Sequence, residues 1–308
     1  MCCFVAPAIS QDYPSKLVQI IIPFSAGSAT DTIARALATE LSKHWAQPVK
    51  GVNIPGKGGI VAAAKAAQAE ADGYTLFIHG AFTINPSIHS GLSYNPSKDF
   101  TNIAPLVRQP LALLVSPSSN IKTVSALLAF AKDESRVLKF GSPGTGSSAH
   151  LAAEKFCLDA NIKMKHVPFT GGPEAIKAIN NGDVIFCFLP VAFAKKIVDK
   201  NKVRVLAVTS RQRANILPDV PSIAETGLSD FDFNLWWGMW SPSGIPVHVL
   251  AKLETDIEFV LATTDLQQLF NQIGAEPMSM TSSEFTKFVS GEMESMKRLV
   301  KEAGIEPE

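Results

Sequence analysis

Two loops in this 308-residue chain carry the residue types that hold an anion. The first is Phe24-Ser25-Ala26-Gly27-Ser28-Ala29-Thr30-Asp31; the second is Ser142-Pro143-Gly144-Thr145-Gly146-Ser147-Ser148-Ala149-His150. Each follows an apolar, strand-like run and opens a stretch of helical periodicity. Such a loop offers backbone N–H groups left unpaired at a helix N-terminus, adds hydroxyls, and uses glycine to admit a ligand close to the main chain. The chemistry it suits is recognition of a carboxylate or phosphate without an arginine. The helix-end field contributes about 0.3–1 kcal/mol at an exposed site and up to ~2 when partly buried, so direct hydrogen bonds must supply the rest. Taken singly, each loop is more simply read as a helix start with Thr30 or Ser148 as N-cap. Two such loops at the ends of parallel strands favour a ligand site.

Other constellations are weaker. Gly144-Thr145-Gly146 matches a dinucleotide fingerprint only in part, because Ala149 stands where a third glycine is needed, and no phosphate-loop lysine follows any glycine cluster. His150 beside Ser147 and Ser148 raises a hydrolase alternative, but the Gly-x-Ser-x-Gly elbow is missing. His44, His79, His89, His166 and His248 have no metal-ligand spacing, and Cys2, Cys3, Cys157 and Cys187 match no zinc pattern. Cys157 and Cys187 are read either as a disulfide or as two buried thiols. No catalytic residue, metal or cofactor is expected. Trp236, Trp237 and Trp240 serve either a pocket at the lobe junction or the core, with the core reading favoured for at least two of them.

Composition sets the frame for these residues. Lys and Arg number 28 against 28 Asp and Glu, 46% of residues are hydrophobic and 18% charged. The apolar fraction disfavours disorder, and zero net charge lacks the basic field of a nucleic-acid binder. An anionic ligand must therefore be held by local geometry. The length suits two domains of roughly 100–200 residues. The longest apolar run, Ile103 to Val115, is interrupted by Arg108 and is shorter than the ~18–20 residues a membrane span needs. Residues 1–12 read as the remnant of a secretory leader, with small residues before Gln11-Asp12, or else as a frayed, disordered N-terminus.

The positioning elements follow from periodicity. Leu17 to Ile22 is the β-branched run of a strand buried on both faces, and Ile33, Ala34, Leu37, Ala38, Leu41 and Trp45 form one helical stripe. A second strand ends at Asn53, an alanine-rich helix spans Ile60 to Ala71, and a third strand starts at Tyr74. This order predicts an α/β architecture with parallel crossovers. Phe100 to Pro117 reads as a strand leaving the first lobe, and a second set of strand–helix units fills the middle of the chain. Phe231 to Trp240 crosses back, and three helices finish the chain, the last opened by the capping box Thr281-x-x-Glu284. The expected division is 13–115 with 235–308 as a discontinuous first lobe and 116–234 as the second, joined by two strands.

With these residues in view, the chain resembles the tripartite tricarboxylate transporter substrate-binding proteins, the Bug family. The resemblance runs from Tyr13-Pro14 through Ile22-Pro23-Phe24, Thr30-Asp31, Pro55-Gly56-Lys57-Gly58-Gly59 and Asp72-Gly73-Tyr74-Thr75-Leu76. It resumes at Gly146 to Leu151, His166-Val167-Pro168-Phe169 with Gly171-Gly172, and Leu217-Pro218-Asp219-Val220-Pro221, and reaches Gly274-Ala275-Glu276-Pro277. It implies a type II periplasmic binding-protein fold, in which two α/β lobes close by a hinge on a small carboxylate. It also implies a monomeric, non-enzymatic periplasmic receptor that hands its ligand to the membrane subunits of a transporter of this type.

On matching positions the resemblance implies ligand contacts from Phe24, Ser25, Ala26, Gly27, Ser28, Thr30 and Asp31 in one lobe and Gly146, Ser147, Ser148, Thr170 and Gly171 in the other. Ala81, Phe82 and Asn85 would sit at the rim. Two departures stand out. Ala26-Gly27-Ser28-Ala29 replaces a common Pro-Gly-Gly-Gly, and Cys187-Phe188 replaces a common Asp-Asn before Leu189-Pro190. With Phe24, Phe82, Phe169 and Phe188 as an apolar wall, the expected ligand has an apolar or aromatic body and at least one carboxylate, unlike citrate. The alternatives are a periplasmic sensor presenting the same ligand to a signalling partner, and a small-molecule hydrolase using Ser147 or Ser148 with His150.

Overall fold

The computed structural model describes residues 13–80, 82–132 and 137–306. The leader expected at 1–12 and the rim residue Ala81 lie outside the described residues. The chain runs β1 (Val18–Ile22), α1 (Ala29–Trp45), β2 (Val49–Asn53), a single 3-10 turn (Lys57–Gly59) leading into α2 (Ile60–Ala67), β3 (Thr75–His79), α3 (Asn85–Ile88) and β4 (Phe100–Val115). The middle holds α4 (Val124–Ala131), β5 (Lys139–Ser142), α5 (Ser148–Asp159), β6 (Lys165–Pro168), α6 (Gly172–Asn181), β7 (Phe186–Pro190), α7 (Val191–Val198) and β8 (Arg204–Val208). It closes with β9 (Asn234–Pro242), α8 (Val247–Leu261), α9 (Thr264–Ile273), β10 (Glu276–Pro277) and α10 (Ser282–Glu302).

The strands follow the order β2-β1-β3-β9-β4-β7-β5-β6, with β8 and β10 also pairing β4. β1 is parallel to β2 and β3, as the crossover order requires, and β5 is parallel to β6 and β7. β4 joins the two sets. From Phe100 to Pro110 it pairs antiparallel with β9, and from Leu111 to Val115 it pairs with β7 and β8. The switch of partners falls between Pro110 and Leu111.

Each lobe has apolar packing on both faces of its sheet. In the first, Ile20, Leu37, Leu76 and Leu253 gather on one face and Phe77, Phe82, Trp240 and Phe285 on the other. In the second, Phe140, Phe156, Phe186 and Phe188 oppose Leu114, Ile176, Cys187 and Leu189. Alternate residues of β7 thus enter opposite cores.

The capping box of α10 forms as read, with the Thr281 side chain accepting from Glu284 N–H while the Glu284 carboxylate accepts from Thr281 N–H. That helix differs from expectation further along. Phe285 and Val289 pack in the first lobe, but Met296, Leu299 and Val300 belong to the core containing Phe140 and Phe156. A helix of 21 residues is about 30 Å long, enough to strap one lobe to the other.

Candidate functional site

A cavity of about 820 Å³ opens where the loop before α5 faces the turn before α2 and the short helix α3. Its walls include Phe24, Lys57, Asn85 and Ile88 from the first lobe, the run Pro143 to Ser148 from the second, and Ile305 with Glu306 from the tail after α10.

The α5 loop is built by its own hydrogen bonds. Ser147 is the N-cap: its hydroxyl accepts from His150 N–H at 3.2 Å and donates to the Gly144 carbonyl at 2.7 Å. The Gly146 N–H donates to Nδ1 of His150 at 3.1 Å, and Nε2 of that ring meets Glu154 Oε1 at 3.3 Å. Both imidazole nitrogens are therefore engaged away from any serine hydroxyl. The His150 ring thus pairs with neither Ser147 nor Ser148, and Ser148, at the first residue of the 12-residue helix, faces the cavity. His166 stacks on His150 with ring centroids 3.7 Å apart, and its Nε2 shares a 2.7 Å hydrogen bond with the Ser142 hydroxyl. Burial, then the neighbouring His150, pushes His166 down to about 4.

The first loop has a different geometry. Ser28, rather than Thr30, is the N-cap of α1, its hydroxyl accepting from Asp31 N–H. Thr30 is buried and accepts from Trp237 Nε1 at 2.9 Å, which ties the start of α1 to β9. Asp31 is buried as well. Its carboxylate accepts from Gly27 N–H at 2.9 Å, Asn53 Nδ2 at 2.8 Å and Arg35 Nε at 2.9 Å. Burial alone would raise this carboxyl, but the bonds from Asn53, Gly27 and Arg35 outweigh it and hold it below the usual carboxylate range. Thr30 and Asp31 shape the loop and are spent on the protein itself.

Of the other expected contacts, Gly146, Ser147, Ser148, Phe24 and Asn85 line the cavity. Ser25, Ala26 and Gly27 are exposed outside its wall, and neither Thr170 nor Gly171, before α6, reaches it. Phe82 and Phe188 correct the apolar-wall expectation. Phe82 is sealed among Phe77, Tyr94, Phe100 and Trp240, and Phe188 among Phe156 and Phe186, because both faces of their sheets are covered. Phe169 is also absent from the wall and lies over Gly141. The apolar lining is instead Phe24, Ile60, Ile84, Ile88, Leu92 and Ile305.

Sequence reasoning missed the turn at Lys57–Gly59. His79 is fully buried, and its Nε2 donates to the Gly58 carbonyl at 3.1 Å while Asn85 Nδ2 donates to the same oxygen at 3.3 Å. Burial pushes His79 down to about 4 against the opposing effect of that carbonyl, so the ring is neutral with its proton on Nε2. The available signal was Pro55-Gly56-Lys57-Gly58-Gly59, a third glycine-rich loop at the carboxyl end of a parallel strand.

This geometry has relatives. Residues 33–305 match the family described as tripartite tricarboxylate transporter family receptor. The chain belongs to that family. BugT of Bordetella pertussis is 28% identical over 302 residues, spanning 97% of this chain and 93% of BugT. Among solved structures, R. palustris Rpa4515 with adipate superposes with a TM-score of 0.81 at 29% identity, covering 96% of this chain and 100% of that one. MatC (Rpa3494) from Rhodopseudomonas palustris with bound malate gives 0.75 at 28%, covering 94% and 100%. This receptor therefore has the two-lobed α/β fold of the periplasmic solute-binding proteins, with β4 pairing in both strand sets. The family is one of solute-binding receptors, and among the described residues no helix is long and apolar enough to cross a membrane.

Proposed function

We propose that this receptor works outside the cytoplasm, captures a small carboxylate in the cavity between its lobes, and delivers it to the membrane subunits of a tripartite tricarboxylate-type transporter. The observation that carries the reading is the α5 loop, where Gly146, Ser147 and Ser148 line the cavity at the N-terminal end of a 12-residue helix. Helix-end N–H groups and a serine hydroxyl suit a carboxylate without a formal countercharge in that lobe. Similar receptors whose structures hold adipate and malate support the ligand class. The apolar lining from Phe24, Ile84 and Ile88 favours a ligand with an apolar body. A micromolar dissociation constant, about −8 kcal/mol, is the expected scale.

Ligand capture shifts the population toward closed lobes, with β4 and β9 as the joining strands. A thermal-shift screen over a carboxylate panel tests the reading. A ligand at about 100 times its dissociation constant adds roughly 2.7 kcal/mol of stability. A flat response across the whole panel would overturn it.

A further inference from the structure

The turn before α2 is the most strained backbone on the cavity wall. Four successive residues, Gly56, Lys57, Gly58 and Gly59, have φ of 150°, 46°, 61° and 97°. Three are glycines, to which such angles are open. Lys57 alone has a β-carbon, which disfavours the left-handed conformation. Strain kept at one residue of a cavity wall points to a use for its side chain.

The surroundings agree. The Gly58 carbonyl is turned inward and clasped by His79 and Asn85, so the turn is fixed from behind while Lys57 remains exposed on the cavity side. Lys57 forms no ion pair among the described residues. Among the described residues lining the cavity, Glu306 is the other carboxylate or ammonium side chain, and His89 borders the same turn, with Nε2 3.9 Å from where a β-carbon on Gly58 would stand. Facing them, the α5 loop offers N–H groups and hydroxyls without formal charge. The cavity thus sets an ammonium on the first lobe opposite an uncharged helix start on the second.

We propose that Lys57 is a specificity-determining residue whose ammonium pairs with a second anionic group on the ligand, so that the site selects diacids over the matching monoacids. The assignment rests on the carboxylate-receptor reading above and goes beyond it by naming the residue that counts the charges. A lysine suits this task because its flexible stem brings a point charge to diacids of differing length.

Calorimetric titration of the full chain with adipate and with hexanoate tests it, using wild type, Lys57→Gln, Lys57→Arg and Lys57→Gly. Lys57→Gly relaxes the backbone while removing the charge, so loss of fold cannot mimic loss of the charge contact. The expected result is a wild-type preference for adipate of about tenfold or more, a difference of about 1.4 kcal/mol. Lys57→Gln and Lys57→Gly should abolish that preference and Lys57→Arg should keep it. An adipate preference that survives Lys57→Gln, or that is lost only in His89→Gln, overturns the assignment of Lys57. Equal wild-type affinity for the two acids also overturns it while leaving the receptor reading in place. If wild type binds neither these acids nor any member of the carboxylate panel, the receptor reading falls and Lys57 with it.

Discussion

A β-carbon placed on Gly146 would stand 2.8 Å from Cδ1 of Ile88. The last residue of α3, in the first lobe, therefore meets the cavity loop of the second lobe so closely that a side chain at Gly146 would displace the Ile88 tip. Gly146 also has φ of 72° and donates its N–H to the buried His150, so the same residue sets the loop's conformation and the approach of the lobes.

Gly146→Ala should consequently weaken carboxylate binding by about tenfold or more, since a side chain in the left-handed region costs roughly 1–2 kcal/mol before the contact with Ile88 is counted. Adding Ile88→Ala should recover the contact part and leave the backbone part. Titration of the two single variants and the double variant measures the coupling. Unchanged affinity in Gly146→Ala would show that this approach plays no part in binding.

Phe188 should matter for stability and little for ligand. Its ring is fully buried against Phe156 and Phe186, so Phe188→Ala is expected to cost about 3–5 kcal/mol. Chemical denaturation measures that loss. Below the denaturation range, carboxylate affinity should change far less than stability, because Phe188 does not line the cavity and reaches it only through the core it shares with Ile84 and α5.

The reason Phe188 was misplaced by sequence reasoning lies in β7 itself. Phe186 and Phe188 enter one core and Cys187 and Leu189 the other, so the strand is apolar on both sides and its alternation holds no sign of which residues face a cleft. β4 and β9 were legible as strands because each forms a largely apolar run between polar loops. Ser28 and Thr30 show the opposite limit: both are good N-caps two residues apart, and which one caps depends on Trp237, more than 200 residues away, taking the Thr30 hydroxyl as its acceptor. The Lys57 turn went unread because three glycines mask the strain that singles out their lysine neighbour.

Acid should destabilise the protein through its buried histidines. His79 is held down to about 4, whereas an unfolded histidine titrates at about 6.5, so the unfolded chain binds more protons between those values. Its share of stability is complete above about pH 6.5 and is lost as pH falls toward 4. For His79 alone the loss at about pH 5 is roughly 2 kcal/mol. His166 shifts in the same direction. Melting temperature should therefore drop between about pH 7.5 and 5, and His79→Gln, which can still donate to the Gly58 carbonyl, should flatten part of the slope. A slope identical in wild type and His79→Gln would contradict the neutral, buried assignment.

Cys157 and Cys187 should behave as inert thiols. They belong to cores on opposite faces of the sheet, and both are free. Burial holds each thiol far above its usual range, Glu154 adding to the effect at Cys157. Peptide mapping after alkylation of the folded protein should find both unmodified, and mild oxidants should not link them. Rapid labelling of either in the native state would show that its core opens.

The central claim, carboxylate capture between the lobes, is tested most directly by calorimetric titration of the wild-type receptor with straight-chain carboxylic acids and with their uncharged amides. The account predicts saturable, one-site binding for at least one acid and no detectable heat for its amide, because the α5 loop and Lys57 both recognise negative charge. An amide that binds as tightly as its acid would contradict it.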